Sequence, residues 1–239
     1  MFSLTKKKRF FRTFFYLINK KENKKKVAET FRLGLLLCLV GGFTDAYTFT
    51  IRGKVLANAQ TGNMVFFALR LIEMKWMKAL FYFLPIAAFA LGILIAEFIK
   101  EKFKHSKIHW KQIIILMEIV VLLVSSFIPK GELNVYVNIA ISFVCSLQVQ
   151  AFRKIRGNIS ATTMCTGNLR SGTENLYHYL TTKDRDFKHN VLIYYGLIVF
   201  FMIGAVAGSF FSELLGEKAL LVCCGLLFIV FSVMFKDNI

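Results

Sequence analysis

The chain has 239 residues, of which 56% are hydrophobic, and a mean hydropathy of +0.56. Soluble domains hold about 45–50% apolar residues, so this chain has more apolar surface than one water-surrounded core can hide. Its 31 lysines and arginines face 14 acids, a net charge of +17, but no nucleic-acid-binding motif accompanies them. The charges cluster between long uncharged runs, which argues against a soluble enzyme or a nucleic-acid partner and for a multi-pass membrane protein.

Residues 1–30 are basic and aromatic, with Lys6-Lys7-Lys8-Arg9 and Lys24-Lys25-Lys26 bracketing Phe10-Phe11-Arg12-Thr13-Phe14-Phe15-Tyr16-Leu17-Ile18. This segment is expected to lie on the cytoplasmic leaflet as an interfacial helix that binds anionic lipids, because it is too short to span. The membrane domain is expected over 31–239. An apolar helix needs ~20 residues to cross a bilayer, and six segments meet or approach that length: 32–51, 79–99, 112–129, 134–152, 190–212 and 217–235. Two further stretches, 54–74 and 157–182, are ambiguous, and the second is too polar to face lipid.

Loop charge sets the expected topology. A basic N-terminus, the lysine-rich 100–111 loop, Arg153-Lys154 with Arg156, and Lys236 all fall on one side if 54–74 does not cross. Both termini are then cytoplasmic by the positive-inside rule. Against this, Arg52, Lys54, Arg70, Lys75 and Lys78 would lie outside.

The two ambiguous stretches resemble each other. Asp45-Ala46-Tyr47, Ile51-Arg52-Gly53 and Thr61-Gly62-Asn63 recur as Gln150-Ala151-Phe152, Ile155-Arg156-Gly157 and Thr166-Gly167-Asn168. A duplication with repeat A at 31–130 and repeat B at 131–239 gives three spans per unit, and an odd number forces the second copy in upside down. The expected fold is therefore an all-α polytopic membrane protein of about six transmembrane helices. It carries two re-entrant or broken Thr-Gly-Asn segments and an inverted 3+3 repeat, a recurrent design of secondary transporters.

Candidate substrate-binding residues follow from the motifs: Asp45, Thr61, Gly62, Asn63, Gln150, Thr163, Thr166, Gly167, Asn168 and Arg170. The glycines permit close backbone approach, the threonines are expected to cap the helices they precede, and the asparagines offer a donor and an acceptor. Arg170 could clamp a carboxylate or phosphate. The bland alternative is that these side chains only bond helices together. Asp45 and Glu118 interrupt apolar runs and are candidates for proton coupling, or else neutral carboxyls bonded to a neighbouring helix or, for Asp45, paired with Arg52. Glu97 reads as an ion-pair partner of nearby lysines. No metal site is expected: His105 and His109 are spaced i, i+4 but lack a third ligand, and the five cysteines have no metal-ligand spacing. No cofactor is expected either.

Gly41-Gly42-Phe43-Thr44-Asp45-Ala46-Tyr47, Thr61-Gly62-Asn63, Gln150-Ala151-Phe152 and the run from Thr163 to Arg170 resemble the YoaK family of bacterial membrane proteins, a family without an assigned function. The resemblance covers about residues 30–235. It implies a multi-pass protein of the bacterial cell membrane and supplies no substrate. The leading functional expectation is a small-solute secondary transporter, with proton coupling as an option. The alternative is a non-transporting scaffold or regulatory protein. An enzyme is not expected, since no nucleophile–base pair is visible, and the small size is compatible with a homodimer.

Overall fold

A computed structural model describes residues 30–103, 110–155, 158–159 and 165–236. The N-terminal interfacial segment, His105, His109 and Thr163 lie outside the described residues. In chain order the elements are α1 (Phe31–Ile51), α2 (Gln60–Ile72), α3 (Trp76–Lys102), α4 (Trp110–Ser125), α5 (Asn134–Ala151), β1 (Lys154–Ile155), β2 (Asn158–Ile159), α6 (Cys165–Thr182), α7 (Arg185–Leu215), a 3-10 turn (Gly216–Ala219) and α8 (Leu220–Lys236). The two short strands form one antiparallel pair. Stretches long and apolar enough to cross a membrane are Phe31–Ile51, Trp76–Lys102, Asn134–Ala151 and Arg185–Met234, the last holding α7 and α8. The protein is a helical membrane protein.

Local chemistry sets the helix ends. Thr30 caps α1 by accepting from the Leu33 N–H at 3.4 Å. The helix stops where Gly53 takes φ +94, a conformation that a Cβ disfavours. α7 starts at Asp184, whose carboxylate accepts from the Asp186 N–H at 2.9 Å.

Close backbone packing joins α1 to α7. A Cβ at Gly42 would strike the Phe201 carbonyl, one at Gly204 the Leu39 carbonyl, and one at Gly208 the Phe43 backbone. Small residues at i and i+4 are what let apolar helices touch in a bilayer, where lipid offers no hydrophobic drive. The order of these contacts means that α1 and α7 run parallel. α3 and α5 are joined in the same way, with Gly92 against Phe143 and Ser146. They too run parallel, since five residues on Glu97 meets Gln150.

α1 and α5 cross antiparallel. Asn138 Nδ2 donates to the Arg52 carbonyl at 2.8 Å, Thr44 Oγ1 meets Cys145 Sγ at 3.7 Å, and the Gln148 amide reaches the Leu37 carbonyl at 3.5 Å. Ties among Arg52, the 125–134 turn and Glu217 bring the ends of α1, α4 and α7 together with the starts of α5 and α8. Thus α1, α4 and α7 run one way, and α3, α5 and α8 the other.

The remaining two helices differ from the other six: α6, with 18 residues, is as long as α5 but polar, and α2 stops short. α2 has 13 residues, about 20 Å, against a hydrocarbon thickness of about 30 Å. It folds back along α3, with Phe66 against Tyr82 and Phe67 against Phe83. α6 folds back along α7, with Asn175 bonded to Asn190 and His178 stacked on Phe187. The helices pack as α1 on α7, α3 on α5, α2 on α3, α6 on α7, α4 on α5, α1 on α8 and α4 on α8. Exchanging α1–α4 for α5–α8 in order returns these seven pairs, whereas the slighter contact of α3 with α4 has no equal between α7 and α8.

Candidate functional site

The polypeptide re-enters the bundle after α1. From Ile51 it turns back through 52–59, and Asn58 comes to rest beside Gly41, Thr44 and Asp45, near the middle of α1. There Asp45, only 5% exposed, accepts the Asn58 N–H at 2.6 Å, with the Ala57 and Ala59 N–H groups close by. These are the donors that precede α2, so a carboxylate on α1 caps the start of a different helix. An anion at a helix N-terminus is favoured by the exposed N–H groups and the macrodipole. Asn58 Nδ2 adds donations to the Gly41 carbonyl and to Thr44 Oγ1, each at 3.1 Å.

Asn63 locks the same loop. Its Oδ1 accepts from Leu56 N at 3.0 Å, and its Nδ2 donates to the Leu56 carbonyl at 2.6 Å and to Gln60 Oε1 at 2.9 Å. Thr61 is exposed, and Gly62 is half-buried beside Leu56. The expectation that Thr61 and Thr166 cap their helices is corrected. α2 begins at Gln60 with Ala59 at the cap position and no side-chain cap, so Thr61 already lies inside the first turn. Thr166 likewise stands inside α6, whose first described residue is Cys165. In the first half the irregular backbone precedes Thr-Gly-Asn rather than coinciding with it.

In the second half, Asn168 is buried and Gly172 seats against Tyr194 and Tyr195, while Thr166, Gly167 and Arg170 are exposed. The half-buried Cys165 lies within electrostatic reach of both Asp45 and Cys38. The first turns of α2 and α6 therefore both approach the middle of α1. Gln150, the repeat counterpart of Asp45, does not join it. Gln150 Nε2 bonds to Glu97, which also pairs with Lys100 at 2.8 Å, as expected of an acid near the lysine-rich end.

Glu118 is fully buried on α4. Turned to donate, the Gln148 amide nitrogen lies 3.1 Å from each Glu118 carboxylate oxygen. Cys145 on α5 links this region to the Asp45 loop, since it touches Thr44 and lies in the fields of both Glu118 and Asp45. Along the same seam Asn58 Oδ1, Asn138 Oδ1 and Ser142 Oγ are buried without a hydrogen-bond partner among the described residues. Sequence reasoning missed Asn58 and Ser142, because neither belongs to the recurring motif.

Arg52 was read as a possible partner for Asp45, and the structure sends it elsewhere. Its guanidinium is fully buried and donates to Tyr47 Oη, the Ser125, Ile128 and Pro129 carbonyls and Asn134 Oδ1, at 2.7–3.2 Å. The Ser125 carbonyl ends α4, where the dipole favours a cation, and the other two belong to the turn that follows. Tyr47 in turn donates to the Glu217 carbonyl at 3.4 Å, which makes Arg52 the hub of one end of the bundle.

Residues 33–233 match a family described as "Protein of unknown function (DUF1275)". No curated protein and no solved structure matches.

Proposed function

The chain belongs to the DUF1275 family, and we propose that it is a small-solute secondary transporter of the cell membrane, built as an inverted 3+3 repeat. α1, α3 and α4 form one unit of spans and α5, α7 and α8 the other, with the short α2 and the polar α6 entering from opposite faces. The observation that carries this reading is the approach of the start of α2, and of Cys165 on α6, to the middle of α1, beside Asp45. Discontinuous helices meeting at the midplane are how many carriers build a site between repeats. Non-helical backbone at that depth is tolerated where it is buried in protein or lines water, and Thr166, Gly167 and Arg170 leave a polar face on α6 that lipid does not solvate.

In this reading, α1 starts on the cytoplasmic side and α8 ends there. Asp45 and Asn63 shape the α2 side of the site, and Asn168, Thr166 and Arg170 its α6 side. Uptake and efflux across a solute panel in sealed vesicles test it. Folded Asp45→Asn, Asn63→Ala and Asn168→Ala variants should lose flux. Wild-type flux in all three would remove the site assignment. The scaffold alternative expects those substitutions to lower thermal stability, with no solute in the panel protecting the protein.

A further inference from the structure

α2 and α6 carry the same motif and sit on their neighbours in the same way. Asn63 and Asn168 are both buried, and Thr61 and Thr166 are both exposed. Phe67 of α2 meets Phe83 of α3, and Gly172, its counterpart by repeat position, meets Tyr194 and Tyr195 of α7. Each helix therefore turns the equivalent face away from the bundle. On α2 that face is apolar, with Met64, Val65, Ala68, Leu69 and Ile72 exposed. At the same positions α6 exposes Leu169, Arg170, Thr173, Glu174 and Tyr177.

Both faces lie at membrane depth. Gly42 of α1 touches α7 at Phe201, near the middle of both helices. Tyr194 and Tyr195, where Gly172 rests, are about 10 Å from Phe201 along α7. Half of a hydrocarbon core is about 15 Å thick, so Arg170 and Thr173 fall within it. Phe83, against Phe67, is a similar distance from the middle of α3, toward its start. The two helices thus reach matching depths from opposite sides, and only the face of α2 has the chemistry of a lipid contact.

An ionised side chain at such depth is costly against lipid and turns to the bundle interior, a partner or water. Arg170 and Glu174 are exposed, and among the described residues neither has an ion-pair or hydrogen-bond partner. Thr173 adds a hydroxyl pair with Tyr195 at 3.0 Å on the same exposed side. A second copy is a poor cover for this face. Two copies related by an axis normal to the membrane would set α6 parallel to α6 and bring Arg170 toward its own equivalent.

We propose that the outward face of α6 borders water inside the membrane, as the path by which a polar, water-soluble solute passes between the site beside Asp45 and the membrane face on which α1 starts. The outward face of α2, beyond Thr61, meets lipid. A solute drawn from the lipid phase needs no wet path, so the substrate class is hydrophilic. The wet face stands on the comparison of the two helices, and its use as a path rests on the carrier reading.

The test uses the full-length chain in lipid vesicles, with the native cysteines replaced and one cysteine returned at a time. Leu169→Cys and Thr173→Cys probe α6, and Met64→Cys and Ala68→Cys probe the equivalent places on α2. A membrane-impermeant methanethiosulfonate is supplied to both faces by freeze–thaw. It reacts with thiolate, which forms in water and not in lipid, so positions 169 and 173 should react at least about tenfold faster than 64 and 68. Equal rates at the paired positions, or slow reaction at 169 and 173, would overturn the proposal. Slow reaction with an oxidant-formed disulfide between copies at position 173 would put a second copy there instead. If the cysteine-free chain does not fold, melting in the native background decides. Val65→Arg should then lower Tm by several degrees and Arg170→Leu should not, and a Val65→Arg protein at least as stable as Arg170→Leu would overturn the proposal. Fast labelling at 169 and 173 in a protein that moves no solute would sink the carrier reading and leave the wet face standing. Flux in a protein whose 169 and 173 stay slow would spare the carrier and remove the path.

Discussion

Arg52→Lys should destabilise the protein although it keeps the charge. The guanidinium makes six hydrogen bonds to five oxygens on Tyr47, Ser125, Ile128, Pro129 and Asn134. An ammonium has three donors on one centre and cannot reproduce the planar fork. Two or three buried acceptors are then left without a donor. At about 1 kcal/mol each, the lower end for an unsatisfied buried group, the loss is roughly 2–3 kcal/mol. A chain of this size loses about 2–4 °C of Tm per kcal/mol, so a drop on the order of 5–10 °C is expected. Thermal unfolding in detergent reads it directly. Arg52→Gln, with fewer donors still and no charge, should fall further. A Tm for Arg52→Lys within error of wild type would refute the claim that this hub holds the end of the bundle together.

Glycine substitutions should separate tight from open positions. Gly42→Val should lose roughly 3 kcal/mol or more through overpacking against the α7 backbone, whereas Gly167→Ala, whose added Cβ meets nothing within 4 Å, should melt like wild type. Asn63→Ala leaves the Leu56 N–H and carbonyl without their side-chain partner and should cost about 2–3 kcal/mol, while Asn63→Gln recovers little, because the longer arm misplaces both bonds. At low pH the turn joining Lys130 to Glu217 should loosen. Backbone N–H donation from Glu217 and Lys130 holds the Glu217 carboxyl below its ordinary range. A depressed carboxyl contributes stability above its unfolded value and loses it as pH falls through the folded one. The protection of the 130–133 amides against hydrogen exchange, taken relative to the intrinsic rate at each pH, should therefore fall at acid pH in wild type, and Glu217→Gln should show that lower protection already at neutral pH.

Much of the scaffold was legible because apolar length is a coarse and strong signal. The expected spans 32–51, 134–152 and 79–99 fall on α1, α5 and the middle of α3, and 112–129 and 217–235 differ from α4 and α8 by a few residues at their ends. The 217–235 span began too early because Glu217-Lys218 sits in a 3-10 turn, which apolar periodicity does not register. The polar helix α6 and the short α2 were recognised as odd but not bounded, since a half-length helix reads as a weak span and Gly53 gives only a local stop. The site was legible in part. Asp45 stood out as an acid in an apolar run, yet its partner is the backbone N–H of Asn58, and no residue type announces a backbone donor. Gln150 was paired with Asp45 by repeat position, while the chain turns it toward Glu97 on a different helix. Arg52 illustrates the same limit: apart from Tyr47, its acceptors lie 73 to 82 residues away and are mostly carbonyls.

The most direct test is the sidedness of the two half-helices. Thr61→Cys and Thr166→Cys, each exposed and placed in an otherwise unreactive background, are labelled with a membrane-impermeant thiol reagent added to one face at a time. Position 61 should react from the face opposite the N-terminus of α1, and position 166 from the face that α1 starts on. Reaction of both from the same face would mean that the two units do not oppose each other in the membrane, and the carrier account would fail with them.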